Sequence, residues 1–337
     1  MDFIFQYGLF LAKAVTWVAA ILLVAAGVVN LVRNMREHGG DHLEVKNIND
    51  RFRDLADALK HQLLTAHEWK QELKQQKAAD KAKAKAHKKA NKKSDAPERS
   101  RVFVLDFHGD LHASQVGSLR EEISAVLQVA RPGDETLLRL ESEGGVVHGY
   151  GLAASQLKRV REHGLKLTVA VDKVAASGGY LMACVADKIV AAPFAIVGSI
   201  GVVAQLPNFS RLLKKHEVDY ELHTAGEFKR TLTVFGENTE AGRAKFQEEL
   251  EDAHDLFKSF IAENRPQLPL APVATGEHWF GSRALALKLV DELKTSDDYL
   301  LARSKDCDLF GVSYKRHRGL VERVTGGLAK LRATFPW

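Results

Sequence analysis

Residues 101–296 predict an α/β domain built on a mainly parallel sheet, preceded by one transmembrane helix and a helical, Lys-rich stalk. Three observations carry this reading. After residue 101, apolar β-rich runs alternate with helix-like stretches, and strands apolar along nearly their whole length belong in a sheet covered by helices. Residues 14–32 form a nineteen-residue stretch without a formal charge. Between these, residues 70–93 hold ten Lys against only Glu72 and Asp80.

The first element is the apolar stretch AVTWVAAILLVAAGVVNLV. At 1.5 Å per residue it reaches about 28 Å, enough to cross a bilayer. Trp17 and, beyond the other end, Arg33 and Arg36 supply interfacial anchors. A cleaved signal peptide would have a shorter apolar region and a basic start, so residues 1–36 are assigned to an uncleaved membrane anchor. Basic residues after the span favour a cytoplasmic C-terminal body; long domains escape that rule, and sidedness stays open here.

Residues 37–100 follow as stalk and linker. Leu55, Ala58, Leu59 and Leu63 have helical spacing, and SDAPERS at 94–100 breaks the pattern. The βα units come next: VFVLDF (102–107), SLREEISAVLQVA (118–130), TLLRLES (136–142), GYGLAASQLKRVREHG (149–164) and LTVAVDK (167–173). A second apolar run, residues 189–206, is interrupted by Pro193, Gly198 and Gly201 and reads as buried strands and turns rather than another span. Residues 297–337 are left as a basic tail of mixed composition.

Composition narrows the function. The chain has 337 residues, 45% of them hydrophobic, with a net charge of +5. The Lys tract alone exceeds that charge, so the remainder is net acidic and nucleic acid is not an expected partner. A solvated linker is the plain reading of the tract; phosphates or anionic headgroups are the other ligands it suits. Two cysteines, Cys184 and Cys307, are too few for a disulfide framework or a zinc site. Neither a metal nor another cofactor is expected.

Catalytic groups in open α/β sheets gather where strands end, and two strand-to-helix turns attract attention. One is LESEGGVVHGYG, with Glu143, Gly144 and Gly145. The other is VDKVAASGGYLMAC, with Ser177 before Gly178 and Gly179. A Ser beside exposed amides suits a nucleophile, but Ser is also a common helix N-cap. A nucleophile needs a base, for which His108, His148, His278 and Lys229 are candidates. A free lysine is about 0.04% neutral at pH 7, so Lys229 qualifies only in a dry setting. A triad of Ser177, His148 and Asp172 is a further arrangement. Cys184 reads as core, His278 and Trp279 as structural or inter-subunit.

In order along the chain, FVLDFHGDLHAS, ESEGGVVHGYG, AASGGY, VGSIGV, GEFKRTLT, GEN and TGEHWFGSRALALKLVDEL resemble peptidase family S49, the signal peptide peptidase A type. The likeness covers residues 100–296 and is closest to the family's bacterial inner-membrane branch. It implies a fold like that of ClpP and crotonase and a serine endopeptidase with a Ser/Lys dyad. By position Ser177 matches the nucleophile, Lys229 the general base and Ser199 the hydroxyl that orients the lysine. Gly178 and Gly144 match the oxyanion hole. Remnant signal peptides or other apolar membrane-associated peptides are the implied substrates, and a ring-like homo-oligomer, in which a tail such as residues 297–337 can reach a neighbour, the implied assembly. Glu143 stands where the family has proline, which removes a conformational restraint and adds a charge. A catalytically silent membrane scaffold with the same fold is the competing function. An acyl-CoA enzyme is a third, which the presence of both Ser177 and Lys229 argues against.

Overall fold

The computed structural model describes residues 40–91 and 99–316, with scattered helical positions between 8 and 27. Much of the expected membrane span, Arg33, Arg36, most of the 94–100 breaker and the end of the tail lie outside the described residues. Among the described residues no helix is long and apolar enough to cross a membrane. Glu44–Ser313 forms one compact unit, distinct from a second that comprises the chain ends.

The elements in chain order are β1 (His42–Asn47), α1 (Ile48–Leu63), α2 (Ala66–Asn91), β2 (Arg101–His108), α3 (Val116–Val129), β3 (Glu135–Glu141), α4 (Val147–Glu162), β4 (Lys166–Val171), β5 (Val174–Ala176) and α5 (Gly178–Ala183). They continue with β6 (Lys188–Ala191), β7 (Ile196–Gly198), α6 (Ser210–Lys215), α7 (Glu240–Asn264), β8 (His278–Phe280), α8 (Gly281–Ala286), β9 (Glu292–Leu293), α9 (Ser296–Arg303) and β10 (Asp308–Lys315). Seven strands form one sheet in the order β1-β10-β2-β3-β4-β6-β9. Its pairings from β10 through β9 are parallel. A smaller sheet has the order β5-β7-β8, parallel then antiparallel.

Strand side chains alternate between faces, and the large sheet separates two cores accordingly. Phe103, Leu105 and Phe107 of β2, with Leu138 and Leu140 of β3, pack with Leu119, Ile123, Tyr150 and Leu157 from α3 and α4. Val102, Val104 and Leu137 face the other way, onto Tyr299 and Leu300 of α9, with Ile48 and Phe52 of α1 alongside. Burial on both faces is why these strands read as continuous apolar runs.

The stalk within residues 37–100, expected to be helical, opens instead with β1 and is divided between α1 and α2. Asn49 supplies the physical reason: its side chain donates to the carbonyls of Ser304 and Cys307 and accepts from Leu309 N–H at 2.7 Å. These bonds draw α1 onto the turn between α9 and β10. Residues 297–315 likewise contribute a helix and a strand to the body, since Asp308–Gly311 pair with Arg101–Val104. The run 189–206 forms β6 and β7 around Pro193, as breakers of that density require.

Candidate active site

Ser177 sits where the short strand β5 meets α5. Its φ is +51°, a region that disfavours L-residues by about 1–3 kcal/mol and persists only when neighbours enforce it. They do so from both sides. Ser177 N–H donates to Gly198 O at 2.8 Å, and Leu181 N–H donates to Ser177 O at 2.9 Å. Ser177 occupies the N-cap position, yet its side chain makes no capping bond. The capping explanation for a Ser here therefore does not account for it.

The turn after β3 is stitched to the same strand. Ser142 N–H donates to Val174 O and Ala176 N–H donates to Ser142 O, a parallel bridge between Ser142 and Ala175. This brings Gly144 against Ser177. Gly144 has a φ of +94°, and a Cβ placed on it would lie 2.7 Å from Gly178 N and 2.7 Å from Ser177 Cβ. Only glycine fits such an approach. Gly178 is equally constrained, because a Cβ there would meet the Tyr150 ring at 2.4 Å.

The two glycines differ in what their amides do. Gly144 N–H donates to Ser142 Oγ at 3.1 Å. Among the described residues, the N–H groups of Gly145 and Gly178 have no acceptor. Glu143 is exposed, with no ion pair among the described residues.

Ser199 also has a positive φ, +52°. It follows the strand that receives Ser177 N–H, and its own N–H donates to Glu277 O at 2.6 Å. Trp279, on β8, lies over Gly198, where a Cβ would come within 2.8 Å of its ring. Its role is packing.

Among the described residues no hydrogen bond joins the Lys229 side chain to Ser177 or Ser199. The lysine lies in an exposed turn closed by Lys229 N–H to Gly226 O at 3.2 Å. Its ammonium has no partner among the described residues. The segment around it is rich in unburied apolar side chains, including Val203 at 81% exposure and Phe228 at 53%.

The other candidates are placed elsewhere. His148 and His278 are exposed, and His108 lies 3.7 Å from Glu141. Asp172 accepts the N–H and the hydroxyl of Ser296 at 2.7 and 2.5 Å, so it orients no histidine. Cys184 is buried, its thiol pushed up to about 12 by desolvation, which keeps it protonated and unreactive. Sequence reasoning missed Ser142 and Tyr150 as a buried hydroxyl pair, 2.6 Å apart beneath the turn. The signal available was the glycine at 178, which makes room for the tyrosine.

Comparison with known proteins gives the family of the chain. The family model described as peptidase family S49 N-terminal matches residues 2–157, and that of peptidase family S49 matches residues 159–309. A protein named Probable protease SohB from Haemophilus influenzae is 53% identical over 96% of this chain and 92% of its own length. One of the same name from Buchnera aphidicola is 50% identical over 97% and 95%. Among solved structures, a ClpP1 variant from Listeria monocytogenes aligns with 60% of this chain and 94% of that one, at 13% identity and a TM-score of 0.37, too distant to carry an argument. The family matches and the two relatives identify the chain as a serine peptidase of family S49.

Proposed function

We propose that the chain is a membrane-anchored serine endopeptidase in which Ser177 is the nucleophile and Lys229 the general base. The observation that carries this is a serine at positive φ, its hydroxyl unused by the fold, beside unpartnered N–H groups. Neutral Lys229 takes the Ser177 proton as Oγ attacks a peptide carbonyl carbon. The oxyanion that develops is met by Gly178 N–H and by the turn at Gly144–Gly145. Because Gly144 N–H already donates to Ser142, Gly145 supplies the second donor in this conformation. The C–N bond breaks as the lysinium protonates the departing amine, and water activated by the same lysine hydrolyses the acyl-enzyme. Ser199 orients the lysine.

The dyad forms when the segment carrying Lys229 closes over Ser177. Burial of its apolar side chains, Val203, Val218, Leu222 and Phe228 among them, favours that closure and makes the pocket dry enough for a neutral amine. A second copy of the chain in a ring-like homo-oligomer is the partner that covers them. Residues 14–32 anchor the protein in the inner membrane, and the substrates are apolar, membrane-associated peptides such as signal-peptide remnants, which the unburied apolar segment favours.

The test uses the full chain in detergent with an apolar peptide. Ser177→Ala and Lys229→Ala should each lower kcat by at least about 10³-fold. The wild-type rate should rise toward alkaline pH, as a base that must lose a proton requires. Full rate in either variant overturns the dyad; absence of hydrolysis by the wild type leaves the scaffold reading in its place.

A further inference from the structure

We infer that Ser142 and Tyr150 are positioning residues that set the direction of the oxyanion turn through a chain of three hydrogen bonds. The inference rests on the nucleophile assignment above and concerns groups that it leaves unused.

The direction of the chain follows from its proton inventory. Tyr150 has one hydroxyl hydrogen, and it goes to Asp110 O at 2.8 Å. In the 2.6 Å contact between Ser142 Oγ and Tyr150 Oη, the serine is therefore the donor. Ser142 Oγ then has lone pairs for Gly144 N–H at 3.1 Å. The relay runs from the Gly144 amide through two hydroxyls to a backbone carbonyl. Burial pushes the Tyr150 phenol up, so it stays a donor through the working pH range.

Both ends are fixed. Asp110 O also receives Ala113 N–H at 3.0 Å, and Val146 N–H, just past the turn, donates to Leu111 O at 2.8 Å. One loop thus grips the turn on either side of Gly145. The glycines around the relay leave it no slack. A Cβ on Gly109 would come within 2.2 Å of Ser142 Oγ and 2.3 Å of Tyr150 Oη, and one on Gly179 within 2.5 Å of Ser142 O.

The chemical consequence concerns the peptide plane between Gly144 and Gly145. Neither residue has a Cβ and nothing at position 143 restrains φ, since a glutamate stands there. With Gly144 N–H committed to Ser142, Gly145 N–H is left for the substrate oxyanion. Loss of the relay frees Gly144 N–H and lets the turn rotate, so that Gly145 N–H is no longer held in place. Ground-state binding of the peptide does not use this donor; the tetrahedral intermediate does.

Tyr150→Phe removes one oxygen and keeps the buried ring. In the full chain in detergent, it should lower kcat by about tenfold or more with KM unchanged. It should weaken a peptide aldehyde, whose hemiacetal adduct needs the oxyanion donors, by the same factor. Ser142→Ala should do likewise, and the double variant should be no worse than the more impaired single one. Independently of turnover, amide hydrogen exchange at Gly144 should speed up about fivefold in both variants, the loss of one hydrogen bond. Unchanged exchange at Gly144 in Tyr150→Phe overturns the relay. Faster exchange with unchanged kcat and aldehyde affinity, or an effect on KM alone, overturns its catalytic role. Full rate in Ser177→Ala overturns the dyad instead, and the exchange result still decides the relay.

Discussion

Replacing Gly144 by alanine tests the geometry of the site most directly, because both the strain and the clash can be worked out. A φ of +94° disfavours any side-chain-bearing residue, at about 1–2 kcal/mol for the left-handed region. The new methyl then meets three groups of the segment that carries Ser177: Gly178 N and Ser177 Cβ at 2.7 Å, and Ala176 O at 2.8 Å. None is the free end of a flexible side chain, so relief requires backbone movement, at about 1–3 kcal/mol. The loss of stability should total about 2–5 kcal/mol. Any relaxation displaces Ser177, and if Ser177 is the nucleophile as proposed, a shift near 1 Å there lowers turnover by about 10²-fold. Urea unfolding of the full chain in detergent reads the first quantity, and kcat per active site, titrated with a fluorophosphonate, reads the second. A variant with the wild-type midpoint and kcat within about twofold would refute the close approach of the two turns.

Two further outcomes follow from particular side chains. Gly151→Ala, inside α4 with nothing within 4 Å of the new Cβ, should raise stability by about 0.5–1 kcal/mol through helix propensity; an unchanged or lower urea midpoint contradicts the placement. Asp134 is buried, and although burial alone raises its carboxyl pKa, hydrogen bonds from the Arg101 side chain, the Arg101 N–H and the Arg131 N–H hold it below the usual range. Its folded value is depressed, so its contribution is complete above the unfolded carboxyl value of about 3.9 and is lost as pH falls through the folded one. The stability gap between wild type and Asp134→Asn should therefore be constant near neutrality and shrink on acidification, as pH-dependent urea midpoints will report.

How much of this was legible in the sequence depends on how local each feature is. β2, β3 and β4 were readable because two-sided burial leaves few polar positions in VFVLDF or TLLRLES. Ser177 stood out through its glycine neighbours, although its backbone angle depends on Gly198, more than twenty residues on. β1 was hidden. HLEVKN adjoins a long helical composition, and its strand conformation is decided by a sheet that closes with residues from beyond 300. The hydroxyl relay was equally hidden, because Ser142 and Tyr150 belong to different elements and meet only when α4 packs down. The motif Gly-Glu-Phe-Lys marks Lys229 as a match by position to the family's lysine, yet any environment that would neutralise an amine depends on packing around it that a sequence pattern does not specify, and in the structure Lys229 is exposed.

The position of β10 bears on how the protein is made. The last described strand lies beside β2, which leaves the ribosome about two hundred residues earlier. Until residue 311 emerges, the nascent polypeptide therefore carries β2 with one flank of amides and carbonyls unpaired, a template for mispairing with other chains. Completion of this sheet waits for that residue, so a transcript cut short before it should yield an aggregating product rather than a smaller working enzyme.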